Sequence, residues 1–211
     1  MWYLSGSPNR TSLTIPNVGF MLTPAIKNRV DFDGVTWAAD NGRFSAPESY
    51  TDTLFLHWLG ERRGKGTCLF ACAPDVLGDA SATLEMAIPM LGPIKRAGYA
   101  AALVAQDGLE HLPVPWWEFD ALFLGGSTRW KLSEDAVALV DEAKRRGKWV
   151  HMGRVNSWRR VRYAASIGCD SVDGTLLKFA PNVLLPRLRE WMENLGRGHQ
   201  LAFQRNPHES A

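Results

Sequence analysis

Eight short apolar runs alternate with helix-like stretches along the 211 residues, and this alternation constrains the fold more than any other feature. The candidate strands are Trp2–Ser5, Val18–Leu22, Val35–Ala39, Cys68–Ala73, Ala100–Ala105, Ala121–Leu124, Trp149–Met152 and Asp170–Asp173. Several are almost continuously apolar, which is typical of parallel strands buried on both faces. Repeated β-α units predict an α/β fold, either doubly wound or a closed barrel. Eight strands favour a compact, single-domain (β/α)8 TIM-type barrel.

The segments between the runs show helical periodicity. They cover residues 80–96, 132–143, 155–165 and 185–195. Ser133 or a neighbour is expected to cap the second, and Pro89 and Pro93 are expected to kink or split the first. The last helix is expected to end at Gly196. We therefore predict one barrel domain over residues 1–196 and a polar tail over 197–211.

Composition narrows the class of protein further. A hydrophobic content of 45% and a charged content of 22% are ordinary for a globular chain. The apolar runs stay far below the roughly 20 residues that a membrane span needs. The amino terminus lacks a basic region and a cleavage-site pattern, so no signal peptide is expected. The chain has three cysteines, Cys68, Cys72 and Cys169, which cannot all form disulfides. We expect them to be reduced thiols, which favours a cytoplasmic location.

Positive charge is concentrated in one segment, although the net charge is only +2. Eight basic residues and no acid fall between positions 144 and 162: Lys144, Arg145, Arg146, Lys148, Arg154, Arg159, Arg160 and Arg162. Such a segment would attract a polyanion such as nucleic acid. A solvated helix face beside an acidic neighbour is the alternative, and charge alone does not decide between the two.

Polar and glycine residues follow the ends of the predicted strands. They are Asp40, Asp75, Gln106, Gly125, Gly126, His151, Asp170 and Asp173. In a barrel the catalytic groups lie at the carboxyl ends of the strands. A helix cap or a turn would explain each of these residues singly. Because such residues follow one predicted strand after another, the sequence predicts an active site at the carboxyl end of the barrel.

Six short motifs fall in order on these strand ends. They are Trp37-Ala-Ala-Asp-Asn-Gly-Arg-Phe44, Ala73-Pro-Asp75, Leu103-Val-Ala-Gln106-Asp-Gly, Phe123-Leu-Gly-Gly126, His151-Met-Gly153 and Gly168-Cys-Asp-Ser-Val-Asp173. The set resembles the queuine-type tRNA-guanine transglycosylase superfamily. It is most similar to the shortened DNA-modifying branch, the 7-deazaguanine DNA transglycosylases of phages and bacterial modification islands. The resemblance covers about residues 17 to 175.

The resemblance implies roles for four polar residues. Asp173 corresponds to the nucleophile that attacks the ribosyl C1′, and Asp40 to the general acid/base. Asp75 and Gln106 correspond to the pair that reads the guanine edge. The chemistry agrees, because two carboxylates and a covalent sugar intermediate are what retaining glycosyl transfer uses. A carboxylate also accepts the N–H groups of a guanine edge, and an amide serves its carbonyl.

The resemblance also implies the walls of the base pocket. The Gly125–Gly126 backbone corresponds to the wall near the 7-substituent, and Phe44 and Met152 to the two side chains that sandwich the base. An aromatic ring and a thioether suit a flat base. Asp170, the first carboxylate of its motif, is expected to have a supporting role.

The expected function is the exchange of guanine in double-stranded DNA for a free 7-deazaguanine such as 7-cyano-7-deazaguanine. Phosphates around a flipped nucleotide would then meet Arg154, Arg159, Arg160 and Arg162. The same reaction on tRNA is one alternative. A non-catalytic nucleic-acid-binding subunit of a modification complex is another. A homodimer and partner modification proteins remain open.

Two departures from the family pattern bear on these expectations. The tRNA enzymes carry a Cys-x-Cys-x2-Cys zinc pattern that the sequence lacks, so we expect no metal and no cofactor, and DNA is favoured. Asn41-Gly42-Arg43 replaces the usual Ser-Gly-Gly, which brings an unexpected charge toward the pocket. His57 and His111 have no evident partner and are expected to be structural or surface residues. Asp79 is expected to cap a helix.

Overall fold

Eight parallel strands close into a barrel in the order of the sequence. The computed structural model describes residues 1–25 and 30–205. The strands are β1 (Trp2–Ser5), β2 (Val18–Leu22), β3 (Thr36–Ala39), β4 (Thr67–Cys72), β5 (Ala101–Ala105), β6 (Ala121–Leu124), β7 (Trp149–Met152) and β8 (Ser171–Gly174). Each pairs with the next, and β8 pairs back onto β1. The predicted barrel is therefore confirmed, with four strand bounds as predicted and the others shifted by one residue.

Helices cover the barrel unevenly, which is how eight strands fit into so short a chain. They are α1 (Asp52–Gly60), α2 (Ala80–Arg96), α3 (Thr128–Lys131), α4 (Glu134–Arg145), α5 (Trp158–Ser166), α6 (Leu176–Phe179) and α7 (Pro181–Arg205). The connections from β1 to β2 and from β5 to β6 contain only short 3-10 turns, at Arg10–Thr14 and Leu109–His111.

Two predicted caps are confirmed, and of the two effects expected of the prolines, a split of the helix does not occur. Ser133 accepts a hydrogen bond at the start of α4, and Asp79 does so at the start of α2. Helix α2 is nevertheless one element with Pro89 and Pro93 inside it, so it is not split. Pro89 lies on the exposed face, where water can satisfy the carbonyl that it leaves free. The buried stripe that includes Leu91 holds the helix against β5.

The last helix runs beyond its predicted end. Helix α7 continues through Gly196 to Arg205, because a glycine inside a helix costs only about 1 kcal/mol. Leu188 and Trp191 anchor the helix, and the Trp191 ring stacks on Trp158 with centroids 6.2 Å apart. The rest of the predicted tail, residues 206–211, lies outside the described residues. Within the described part of the chain, every helix is too short or too polar to cross a membrane.

Two separate apolar clusters follow from the alternation of side chains along the strands. The smaller cluster fills the barrel, and its buried members all come from strands: Leu4, Met21, Ala38, Phe70, Cys72, Ala102, Val104 and Ala121. The larger cluster lies between strands and helices and includes Trp37, Leu91 and Val140. The barrel interior is therefore packed, and open space is confined to its ends.

The cysteines carry free thiols. Cys72 and Cys169 are buried, and Cys68 is half-buried. Burial raises the pKa of the Cys68 and Cys169 thiols to about 12. They stay protonated, and therefore weakly reactive, near neutral pH.

Two aspartates close the amino-terminal end of the barrel. Asp170 precedes β8, accepts the Val150 N–H at 2.7 Å and pairs with Lys144 at 2.8 Å. Asp120 accepts the Ala101 N–H at 2.9 Å in the same way before β6. This end is opposite the strand ends that carry the other predicted site residues. Asp170 was expected to have a supporting role, and its contacts are structural ones at the end of the barrel away from the other predicted residues.

Replacing Asp170 should destabilise the fold. Asp170→Ala leaves the Val150 N–H and the Lys144 ammonium without their acceptor, so we expect the free energy of unfolding to fall by about 2 kcal/mol. Urea unfolding followed by circular dichroism measures this. Asp141→Ala, on the exposed face of α4, is the control and should not lower stability. Equal midpoints for the Asp170 variant and wild type would contradict the assignment.

Candidate active site

A cavity of about 300 Å³ opens at the carboxyl ends of the strands. Among the residues predicted for the site, it is lined by Asp40, Phe44, Asp75, Gly125, Arg154 and Asp173. Three carboxylates thus reach one cavity from β3, β4 and β8. A larger groove of about 840 Å³ lies beside α1 and contains none of the predicted residues.

Asp40 is held at the end of β3 by one backbone donor. The Gly42 N–H donates to its Oδ1 at 2.7 Å. Gly42 has a φ of +77°, and a Cβ there would lie 2.5 Å from the Thr23 hydroxyl, so this turn requires glycine. Burial raises the pKa of Asp40 to about 6, and the charges of Asp173 and Asp75 act in the same direction. Near neutral pH the carboxyl can both give and take a proton.

Asp75 sits in a network of amide donors. Gln106 Nε2 donates to its Oδ2 at 2.8 Å, and Asn41 Nδ2 to its Oδ1 at 3.3 Å. Gln106 is buried, and its Oε1 accepts the Gly78 N–H at 3.0 Å. Gln106 therefore orients Asp75, and the cavity wall is formed by Asp75 itself. Arg43, the unexpected charge, donates to the Asp75 carbonyl at 2.8 Å and ties the two loops together.

Burial raises the pKa of Asp75, whereas the amide donors of Asn41 and Gln106 oppose that rise. The Asp75 carboxyl shares the cavity with Asp40 and Asp173, and it accepts hydrogen bonds from two amides. That arrangement suits a group that accepts N–H donors from a ligand.

Asp173 lies at the end of β8 and accepts two hydrogen bonds on the same oxygen. His151 Nε2 is 3.0 Å from its Oδ1, and the Arg154 backbone N–H is 3.3 Å from it. His151 is completely buried, and its Nδ1 is 2.8 Å from Ser171 Oγ. Burial lowers the pKa of His151, although the adjacent Asp173 opposes that effect.

Arg154 links the ends of β6 and β7. Its φ of +61° lies in the left-handed region, and its guanidinium donates to the carbonyls of Gly125 and Gly126. A Cβ at Gly125 would lie 2.5 Å from Val104, and one at Gly126 would lie 2.5 Å from Asp107. Both glycines are therefore required by close packing. Of the two, Gly125 lines the cavity.

The two side chains expected to sandwich a base lie in different environments. Phe44 is 71% exposed at the cavity rim, where it can cover a ligand. Met152 is 2% exposed and belongs to the cluster between strands and helices, so its predicted place in the sandwich is wrong. The reason is the alternation along β7, which points His151 inward and Met152 outward. Phe123 lines the cavity and lies against His151, with ring centroids 4.4 Å apart.

The basic segment is divided by β7 into two groups at opposite ends of the barrel. The group before the strand is already engaged: Lys144 with Asp170, Arg145 and Arg146 with Glu142, and Lys148 with the Phe119 carbonyl. After β7, Arg154 lines the cavity, and Arg159, Arg160 and Arg162 lie in the first two turns of α5, which starts at the carboxyl end of the barrel. On α5, Arg159 and Arg162 are exposed while Val161 is buried, as their spacing predicts.

Sequence reasoning assigned no role to three residues of this region. His151 and Asn41 stand inside the recognised motifs, and their position at strand ends was the available signal. Lys131 gave no signal, because it stands in a polar stretch. It is 3% exposed, donates to the Gly153 carbonyl, and has its pKa lowered to about 8 by burial. Its charge interacts with those of Arg154 and Asp173, which line the cavity.

No protein-family model and no curated protein matches this chain. Tryptophan synthase from M. tuberculosis is similar in structure at 16% identity and a TM-score of 0.47, over 77% of this chain and 60% of that one. A putative glycerophosphoryl diester phosphodiesterase from Silicibacter pomeroyi has 13% identity and a TM-score of 0.45, over 76% of this chain and 50% of its own. Tryptophan synthase from Pyrococcus furiosus has 15% identity and a TM-score of 0.45, over 92% and 93%.

These neighbours are enzymes, and their similarity to this chain is one of fold. The chain spans less than two thirds of the length of the first two. At such identities a shared barrel carries no information about the reaction.

The raised pKa of Asp40 predicts a pH-dependent stability. The unfolded carboxyl loses its proton near pH 3.8 and the folded one near pH 6, so the folded state binds more protons between these values. The free energy of unfolding of wild type should therefore fall, relative to Asp40→Asn, as the pH rises from 4 to 7. The difference should reach up to about 3 kcal/mol. Urea unfolding at several pH values measures it, and a difference independent of pH would contradict it.

Proposed function

We propose that this protein exchanges guanine in double-stranded DNA for a free 7-deazaguanine base. The observation that carries the proposal is the meeting of Asp40, Asp75 and Asp173 in one cavity of about 300 Å³. That volume is at the lower end for small-ligand pockets, which suits a single base. Double-stranded DNA is our first choice because the motifs most resemble the DNA-modifying branch of the transglycosylases.

In the first half of the reaction the guanine leaves. Asp173 Oδ2 forms a bond to C1′ while the C1′–N9 bond breaks, and the electron pair of that bond passes to guanine. Protonated Asp40 gives the departing guanine a proton, so the base leaves neutral. A carboxyl with a pKa of about 6 is suited to this donation near neutral pH.

In the second half the incoming base takes the place of guanine. The Asp40 carboxylate accepts the N9 proton of the 7-deazaguanine, and N9 attacks C1′. The C1′–Oδ2 bond breaks, and Asp173 recovers its negative charge. Both carboxylates return to their starting states, so the cycle needs no other reactant.

Asp75 is suited to hold either base during the exchange. Its carboxylate can accept N–H groups of a guanine edge, and Gln106 and Asn41 keep it in place. Phe44 at the rim can cover one face of the base, and Phe123 forms part of the inner wall. A base in a duplex would have to be flipped out to reach this cavity.

Base exchange by the wild-type protein is the direct test. Radiolabelled guanine should be incorporated into duplex DNA, and Asp173→Asn should lower the rate by roughly 1,000-fold or more. Without an incoming base, wild type should form a protein–DNA adduct that survives denaturing electrophoresis, and Asp173→Asn should form none. Asp170→Asn, the same substitution at the residue before β8, keeps an acceptor oxygen for the Val150 N–H and should exchange like wild type.

The other outcomes of this assay separate the alternatives. Incorporation of labelled guanine into tRNA and not into DNA would support base exchange as the reaction and identify tRNA as the substrate. Binding of nucleic acid with no exchange and no adduct would support the non-catalytic subunit and overturn the proposal.

The cavity-side arginines should bind phosphate. Arg159→Ala/Arg162→Ala should weaken binding to all DNA sequences alike and lower the slope of log K against log salt by about two. Arg145→Ala/Arg146→Ala is the matched control: it removes equal charge from the opposite end, where Glu142 holds both side chains. Fluorescence anisotropy at several salt concentrations measures the slopes. Equal slopes for the two double variants would place the DNA elsewhere.

A further inference from the structure

A column of polar side chains descends from Asp173 into the barrel. His151 Nε2 lies 3.0 Å from Asp173 Oδ1, His151 Nδ1 lies 2.8 Å from Ser171 Oγ, and Trp149 Nε1 lies 2.8 Å from the same Ser171 oxygen. His151 and Ser171 are fully buried. They are paired residues in the register of β7 and β8, so the two strands build the column together.

The partners determine which nitrogen of His151 carries the proton. The indole N–H of Trp149 can only donate, so Ser171 accepts from it and keeps its own hydroxyl proton to give. An ionised Asp173 can only accept, which requires a proton on His151 Nε2. Nδ1 is then the acceptor for the Ser171 hydroxyl. For a neutral imidazole, this is the arrangement that satisfies every link of the column.

The surroundings favour the neutral ring. Burial lowers the pKa of His151, and the positive charge of Lys131 from α3 acts in the same direction, while Asp173 from β8 opposes both. The ring is also fixed in place, because it lies against Phe70 and Phe123 with centroid distances of 5.1 and 4.4 Å.

We propose that Trp149, Ser171 and His151 form a positioning column that delivers one N–H to Asp173 Oδ1 and so presents Oδ2 to the sugar carbon. This inference rests on the proposed function, in which Asp173 is the nucleophile. The terminal torsion of an aspartate is broad, so a carboxylate without fixed donors would rotate. The Arg154 N–H, on the same oxygen, assists the column. His151 is thus a positioning residue that acts through Asp173.

The same N–H serves both halves of the reaction. While Oδ2 is bonded to C1′, Oδ1 is the carbonyl oxygen of the ester and keeps its donor. When the C1′–Oδ2 bond breaks, negative charge returns to the carboxylate, and a fixed N–H dipole stabilises it. His151 gives up no proton in either half.

A spectroscopic experiment tests the column without reference to activity. Protein labelled with 15N-histidine is recorded by long-range 1H–15N NMR from pH 6 to 8, and the His151 signals are identified by their loss in His151→Gln. A neutral ring protonated on Nε2 throughout this range supports the column. A ring protonated on Nδ1, or a cationic ring, overturns it.

Kinetics test the positioning role. His151→Leu should lower kcat for base exchange by on the order of 100-fold and change KM for DNA less than about 3-fold. His151→Gln, whose amide can donate in place of Nε2–H, should recover kcat to within about tenfold of wild type. Met152→Leu, the next residue on β7 with its side chain outside the barrel, is the matched control and should behave like wild type. A wild-type kcat in His151→Leu overturns the proposal.

The two proposals fail in different ways. If wild type exchanges no base with any nucleic acid, the proposed function is wrong, and the NMR result alone decides the column. If wild type is active and His151→Gln is no better than His151→Leu, the histidine has a packing role only, and the column is wrong while the function stands.

Discussion

The pairing of β8 with both of its neighbours is the constraint on which the candidate site depends. Its register sets Asp173 beside Leu4 of β1, and the residue two positions earlier, Ser171, beside His151 of β7. A strand rises about 3.3 Å per residue, so Asp170 and Asp173 are separated by roughly 10 Å along β8 and belong to opposite ends of the barrel. One carboxylate therefore closes the amino-terminal end, and the other reaches the cavity. A shift of one residue in this register would turn Asp173 out of the barrel.

Most of the strands could be predicted from the sequence because they are buried on both faces and so form apolar runs. Because both faces of such a strand are apolar, the sequence does not show which of its side chains point into the barrel. Along β7 both faces are apolar enough that the pattern does not show whether Met152 or His151 points inward. The error at Met152 follows from this ambiguity. Asp40 and Asp75 were placed well because they stand just past strand ends, where any orientation keeps them at the carboxyl end of the barrel.

The basic segment shows how position along the chain and position in space diverge in this fold. Its charges are continuous in sequence, but β7 carries the chain from one end of the barrel to the other. Arg145 and Arg146 are left beside Glu142, whereas Arg159 and Arg162 emerge near the cavity. Glu142 stands three and four residues before Arg145 and Arg146 at the end of α4, so this pairing is visible in the sequence as helical spacing. The separation that β7 produces is not visible in any local pattern. The solvated-face interpretation therefore fits the first half of the segment, and the polyanion interpretation is confined to the second.

Three carboxylates in one small cavity repel one another. They differ in the number and kind of hydrogen-bond donors that stabilise their negative charge. Asp75 has two side-chain amides, and Asp173 has the His151 ring and a backbone N–H. Asp40 has the single Gly42 N–H, and burial raises its pKa to about 6. Separation of titratable groups by environment is what distinguishes an acid from a nucleophile in paired-carboxylate sites. That criterion supports the proposed reaction, in which Asp40 exchanges a proton and Asp173, with both donors on Oδ1, offers Oδ2 to carbon.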